Sequence, residues 1–281
     1  MSDPKFNAEA LGVWSEPFEF EVERERTIAY AEATNDDHPL HASGELAPPV
    51  FAIVPVFQGL IPSVLAVAPG ELLPFVVHGE QDMRFHRPIV PGMTLVSRAQ
   101  PTGYAAKPSG TTVSIKVETR TSDGEPVNQQ WMTSFFRGFT AAESAGVMAP
   151  PHGFPPALTG EKPFAEVTQH IDDDQTFRYA EASGDPMPIH LDEEVAKASG
   201  LPGIIAHGLC TMAFTSRAVV AAAAGGDPTR LRRLAVRFSK PVLPGQDITT
   251  TLHETAPGTF AFQTTSSSGD VVIKDGLAEI S

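Results

Sequence analysis

The chain has 281 residues, 41% of them hydrophobic and 19% charged, which supports one large core or two ordinary ones and excludes a disordered polypeptide. A formal net charge of −14 excludes the basic face that nucleic acid requires, and an anionic substrate would need a local basic patch. The single cysteine, Cys210, excludes an internal disulfide framework and fits a reducing, cytoplasmic setting.

The N-terminal Met-Ser-Asp-Pro-Lys-Phe carries no apolar signal core. Phe18 to Val22 alternates apolar and acidic residues, the period of a strand, and Arg26 to Thr34 reads as a helix. A turn rich in Asp and His follows, ending at His41. The longest apolar run, Val50 to Ala68, is interrupted by Pro55, Gln58, Gly59 and Pro62, so it is read as a kinked helix and no membrane span is expected. Four strands come next, near residues 75–86, 93–103, 111–121 and 128–139, with Ser122-Asp-Gly124 as a hairpin turn. Residues 141–163, rich in Pro, Ala and Gly, read as a linker.

The second half restates the first. Thr27 to His41 matches Thr176 to His190, 149 positions later, at eight of fifteen residues. Arg84-Phe-His-Arg-Pro-Ile-Val-Pro-Gly92 is answered by Arg237-Phe-Ser-Lys-Pro-Val-Leu-Pro-Gly245, 153 positions on. Strands are expected near 231–239, 247–255, 259–267 and 271–280. One long helix beside a run of antiparallel strands is an α+β unit, here used twice: residues 1–140, the linker 141–163, and residues 164–281.

The chemistry concentrates in the second copy. Tyr179-Ala-Glu-Ala-Ser-Gly-Asp-Pro-Met-Pro-Ile-His190 ends a helix at Gly184 and holds Asp185 and His190 on one proline-stiffened loop, an acid and an imidazole suited to moving protons. Ile204-Ile-Ala-His-Gly-Leu-Cys-Thr211 places Gly208 at the start of an apolar helix. Its free N–H and the helix dipole can receive a developing oxyanion there. These parts point to an enzyme. His207 is read as orienting the turn, and Cys210 as a buried core thiol. In the first copy Asp36 and His41 repeat the pair, but Ala47-Pro48-Pro49 stands where the second copy has Ala206-His207-Gly208, and proline has no N–H to donate. Only seven positions separate His41 from Pro48, against 17 from His190 to His207. The first copy is therefore expected to be an inactive turn. The cluster Asp36, Asp37, His38 and His41 is not read as a metal site, and no nucleotide-binding glycine pattern occurs, so no cofactor is expected.

Ser-Gly-Asp-x-x-Pro-Ile-His190, followed by Ala-His207-Gly208, resembles the motif of MaoC-like (R)-specific enoyl-CoA hydratases, the hydratase 2 family. The likeness is close in the second half and looser in the first. It departs at Met187, where the family usually carries Asn. The resemblance implies a double hot dog, two antiparallel sheets each wrapping a central helix, fused side by side like a dimer in one chain. It also implies hydration of a 2-enoyl thioester, or the reverse dehydration, with Asp185 and His190 handling water and Gly208 the thioester carbonyl. The substrate would be an acyl-CoA or acyl-carrier-protein thioester. Arg237 and Lys240, in the densest basic cluster of the chain, are candidates for CoA phosphates. Val54 and Phe57, on the apolar helix of the first copy, are candidates for lining an acyl tunnel. A homodimer of such double units is compatible with this reading. Two rivals remain at this point: a hot-dog thioesterase, and a non-catalytic acyl-binding partner of a dehydratase complex.

Overall fold

The computed structural model describes residues 5–281; Met1 to Pro4, part of the stretch read for a signal core, lie outside them. β1 (Phe18–Glu21) turns its two Phe side chains toward the core and its two Glu side chains outward. α1 (Arg24–Ala33) starts two residues earlier than expected and buries Tyr30, Ala31 and Ala33. α2 (Pro39–Ala42) is a single turn that opens on proline, whose missing N–H is no loss at a helix start. Pro49–Val56 winds as a 3-10 helix and continues as α3 (Phe57–Val67). Together these 19 residues are long and apolar enough to cross a membrane, with a mean hydropathy of 2.2, yet 61% of the window is buried within the protein. They form the core helix of the first half, with Val50, Phe51, Ile53, Val56 and Leu60 inside.

The first half is completed by β2 (Val76–Phe85), β3 (Thr94–Lys107), β4 (Gly110–Thr121) and β5 (Pro126–Arg137). β3 runs four residues past its expected end. A bulge between Pro101 and Gly103 absorbs the two strand-breaking residues, and pairing resumes to Lys107 opposite Gly110. The segment 141–163 is largely exposed and is tied down at separate points. It contributes β6 (Ala145–Gly146), paired with β3. Further on, the His152 Nδ1–H donates to the Asp275 carbonyl at 2.6 Å.

The second half follows the same plan: β7 (Ala165–His170), α4 (Gln175–Ser183), α5 (Glu193–Ala198), α6 (Gly208–Ala223), then β8 (Leu231–Phe238), β9 (Asp247–Ala256), β10 (Thr259–Ser266) and β11 (Val271–Ile280). α5, six residues long, lies in the span between turn and core helix that is ten residues longer than in the first copy. α6 buries Met212, Phe214 and Val219 against this half of the sheet.

All pairings are antiparallel, and the order is β1-β3-β4-β5-β2-β8-β11-β10-β9-β7. Each half therefore has the same internal order, and the double hot dog is one continuous sheet rather than two. The seam is β2 against β8, with Asp82 directly opposite Ala235, its own counterpart 153 positions on. Across this seam Arg233 grips Asp82 with two hydrogen bonds, Nε to Oδ1 at 3.0 Å and Nη2 to Oδ2 at 2.8 Å. Both side chains are largely buried, so each charge depends on the other.

Candidate active site

α4 ends where Gly184 takes a left-handed conformation, φ +78°; the corresponding residue of the first copy, Asn35, does the same at φ +50°. That reversal throws Asp185 out of the helix, and its Oδ1 accepts the Met187 N–H at 3.2 Å. The 3-10 turn Pro188–His190 then swings His190 back inside, to 8% exposure. The His190 Nδ1–H donates to the Ile205 carbonyl at 2.8 Å, which leaves Nε2 as the lone-pair nitrogen. His207 Nε2–H donates to the Asp185 carbonyl at 3.1 Å, and its ring stacks on His190 with centroids 3.8 Å apart and planes at 27°. His207 thus ties the Asp185 loop to the start of α6.

One ligand atom from each of Asp185, His190 and His207 falls within 4.8 Å of the others. Three such groups can suggest a metal, but stacked, nearly parallel imidazoles send their in-plane lone pairs side by side rather than to a common point. The same spacing suits one oxygen hydrogen-bonded to Asp185 and His190 at once. Burial raises the Asp185 carboxyl above its usual value, opposed by His190 and the Met187 N–H. Burial lowers the His190 imidazole, opposed by the Ile205 carbonyl and Asp185. The two acidities are drawn toward each other, which makes proton exchange between them easy. His207 is pushed down to about 3, first by burial and then by His190, so it stays neutral.

Gly208 is the first residue of α6, and its N–H has no acceptor within the helix. A Cβ placed there would lie 3.2 Å from the Phe238 ring, so the helix start and this aromatic are already in close contact. Phe238, half-buried and edge-on to His78, was not singled out from the sequence; its closeness to Gly208 comes from strand pairing far along the chain.

The first copy is built differently. Asp36 Oδ2 accepts directly from His41 Nδ1–H at 2.8 Å, with both side chains buried, so no gap separates acid and base. Pro48 and Pro49 stand at the start of its core helix.

Residues 156–274 match the family described as MaoC like domain, and residues 9–130 match the FAS1-like dehydratase domain region. The chain is 30% identical over 292 aligned positions to 3-hydroxyacyl-thioester dehydratase Y of Mycobacterium tuberculosis, covering 96% of this chain and 97% of that protein. It belongs to the MaoC-like dehydratase family. A probable enoyl-CoA hydratase 2 of Dictyostelium discoideum is 31% identical, over 73% of this chain and 70% of the relative. The crystal structure of a MaoC-like dehydratase from Phytophthora capsici superposes with a TM-score of 0.87 at 26% identity, over 98% of this chain and 99% of the other.

The remaining sequence candidates of this MaoC-like chain fall in different places. Arg237 Nε meets Glu80 at 2.6 Å and its Nη1 meets Asp275 at 3.0 Å, so two carboxylates neutralise the guanidinium that was expected to face a phosphate. Arg233, of the same cluster, is committed to the seam. Lys240 is exposed, with no ion pair among the described residues. Val54 is 5% exposed in the first half's core and Phe57 is half-buried. Ile61, on the same helix, is 48% exposed, because α3 turns that face outward. Cys210 lies buried beyond Gly208, and burial pushes its thiol well up, which suits a core residue rather than a nucleophile.

Proposed function

We propose that this protein adds water reversibly to a 2-enoyl thioester, giving the (R)-3-hydroxyacyl thioester, or runs the corresponding dehydration. The observation that carries the proposal is the open Asp185–His190 pair beside the free N–H of Gly208. A thioester bound with its carbonyl oxygen on that N–H gains enolate character as it reacts, and a donor aimed at the oxygen stabilises the developing charge. Water held between Asp185 and His190 gives a proton to the pair as its oxygen bonds to Cβ. The pair returns one proton to Cα, so one water is consumed and the residues end as they began. Met187 occupies the place of the family Asn with its side chain 48% exposed, and neither partner of the pair depends on that side chain for a hydrogen bond.

The names of the relatives support this reaction class for the chain. For a CoA-borne substrate, Lys240 is an exposed cation of the basic cluster available to meet a phosphate, whereas Arg237 is paired with Glu80 and Asp275. The test is incubation with crotonyl-CoA while the enoyl absorbance and the free thiol are followed together. Loss of absorbance without thiol release is expected. Thiol release would replace the proposal with a thioesterase, and no change in either signal with a binding protein.

A further inference from the structure

A cavity of about 440 Å³ opens beside Asp36 and His41, between the turn of the first half and α6 and β7 of the second. Its volume is in the range of small-molecule sites. The carboxylates at its edge are already occupied. Asp36 Oδ2 accepts from His41 Nδ1–H, and Oδ1 accepts the His38 N–H at 3.1 Å. Asp37 is paired with Arg217 Nη2 at 2.9 Å.

The unpaired buried atoms are of another kind. His41 Nε2 and Ser216 Oγ have no partner, although these residues are only 3% and 2% exposed. His38 Nδ1 and Gln169 Oε1 are also unpaired. The tautomers follow from the partners: the His41 Nδ1–H goes to Asp36 and the His38 Nε2–H to the Gly226 carbonyl at 2.9 Å. His41 Nε2, His38 Nδ1 and Gln169 Oε1 are therefore all acceptors, and only the Ser216 hydroxyl can also donate. Buried acceptors of this sort call for a donor. A carboxylate or phosphate would bring acceptors to these acceptors and negative charge to Asp36 and Asp37, while the lining cation, Arg217, is already paired with Asp37. An ammonium would find no free carboxylate. The rest of the wall combines apolar Val167, Ala218 and Val220 with Thr168 and with Arg217, whose guanidinium is held by Asp37 and lies 3.9 Å from Asp36.

We propose that this cavity is a second ligand site, separate from the Asp185–His190 centre, for an uncharged aliphatic molecule or chain carrying a hydroxyl group. The hydroxyl donates to His41 Nε2 and accepts from Ser216 Oγ, while the aliphatic part lies on the apolar residues of the wall. Pro48 and Pro49 offer no N–H to a carbonyl, so the site binds without turning over its ligand. Naming a 3-hydroxyacyl group as the ligand rests on the proposed reaction, whose product it is; the preference for an alcohol does not.

The experiment is isothermal titration calorimetry on the Asp185→Asn protein, which cannot turn the probe over. The probe is 3-hydroxyhexanoyl-N-acetylcysteamine, compared with hexanoyl-N-acetylcysteamine. Ala221, exposed at the cavity rim, is replaced by Trp to fill the opening without disturbing the core. The hydroxyl probe is expected to show a binding event that Ala221→Trp abolishes and that Ser216→Ala weakens about tenfold, with the hydroxyl-free probe about tenfold weaker at the same site. Circular dichroism confirms that both variants are folded, and Ser216→Ala carries the test if the Trp variant is not. The absence of any event sensitive to these substitutions, or equal binding of the two probes there, overturns the proposal. Crotonyl-CoA hydration by the unsubstituted protein is scored separately, so loss of the hydratase reading and loss of this site are distinguishable.

Discussion

Tyr30 and Tyr179, the same residue in the two copies, meet hydroxyl to hydroxyl at 3.3 Å in the centre of the protein. Both are at most 1% exposed. Asp82 and Ala235 are a second pair of counterparts placed directly opposite each other, in the sheet seam. The approximate two-fold axis of the repeat therefore passes through both pairs, and each half is held to the other by residues that were once equivalent.

Tyr30→Phe and Tyr179→Phe each leave the opposite hydroxyl buried without its partner, a loss of about 1–2 kcal/mol. The double variant removes both polar atoms and should cost clearly less than the sum of the two. Urea denaturation of the four proteins measures the coupling, and strict additivity would show that the hydroxyls do not support one another.

Asp185→Asn and His190→Ala should each lower the kcat/KM for enoyl-thioester hydration by at least about 100-fold, with circular dichroism unchanged. Because both groups handle the same water, the double variant should be scarcely worse than either single one. A single variant that keeps more than about a tenth of the activity, a difference of under ~1.4 kcal/mol in barrier, would remove that residue from the reaction.

Gly208→Ala sets a methyl group against the Phe238 ring and shifts the first N–H of α6. A fall in kcat of about 10- to 100-fold is expected, with a smaller change in KM, since the donor matters most as the oxyanion forms. Phe238→Leu in the same protein makes room for the methyl and should recover part of the loss. No recovery would mean that the glycine is needed for something other than space.

His207 gives a pH dependence of stability with a definite sign. Its value falls from 6.5 when free to about 3 in the folded protein, so below pH 6.5 the unfolded chain takes up a proton that the folded one refuses. Stability present above pH 6.5 is therefore lost as the pH falls toward 3, by up to ~1.4 kcal/mol per unit. His190, also lowered, acts in the same direction. Thermal unfolding from pH 7.5 to 4 should show a shallower decline for His207→Gln than for the unsubstituted protein; parallel curves would contradict the assignment.

Much of this architecture is legible in the sequence because it is written twice. A turn or strand that is ambiguous in one copy is fixed by its counterpart, as Asn35 is by Gly184. The Asp185–His190 loop was readable because glycine and proline set its shape locally. What escaped the sequence depends on partners far along the chain. The seam pair Arg233–Asp82 joins residues 151 positions apart, and with Arg237–Glu80 it turns two cations of the apparent phosphate patch into ion pairs. Composition marks residues 141–163 as a linker, and the short strand and the buried His152 side chain within it leave little trace in a Pro-rich segment. The difference between an open Asp185–His190 pair and a closed Asp36–His41 pair is likewise absent from spacing, which is five in both.

The continuous sheet has a consequence for how such a protein can change. Two identical subunits sharing this interface would carry every substitution twice, once at each site, and would come apart on dilution. A single polypeptide with β2 pressed against β8 keeps its halves together at any concentration, and one half can vary while the other stays as it was. Specific activity should accordingly be independent of protein concentration across the nanomolar range, and one hot dog is free to keep the chemistry while its twin acquires a different occupation.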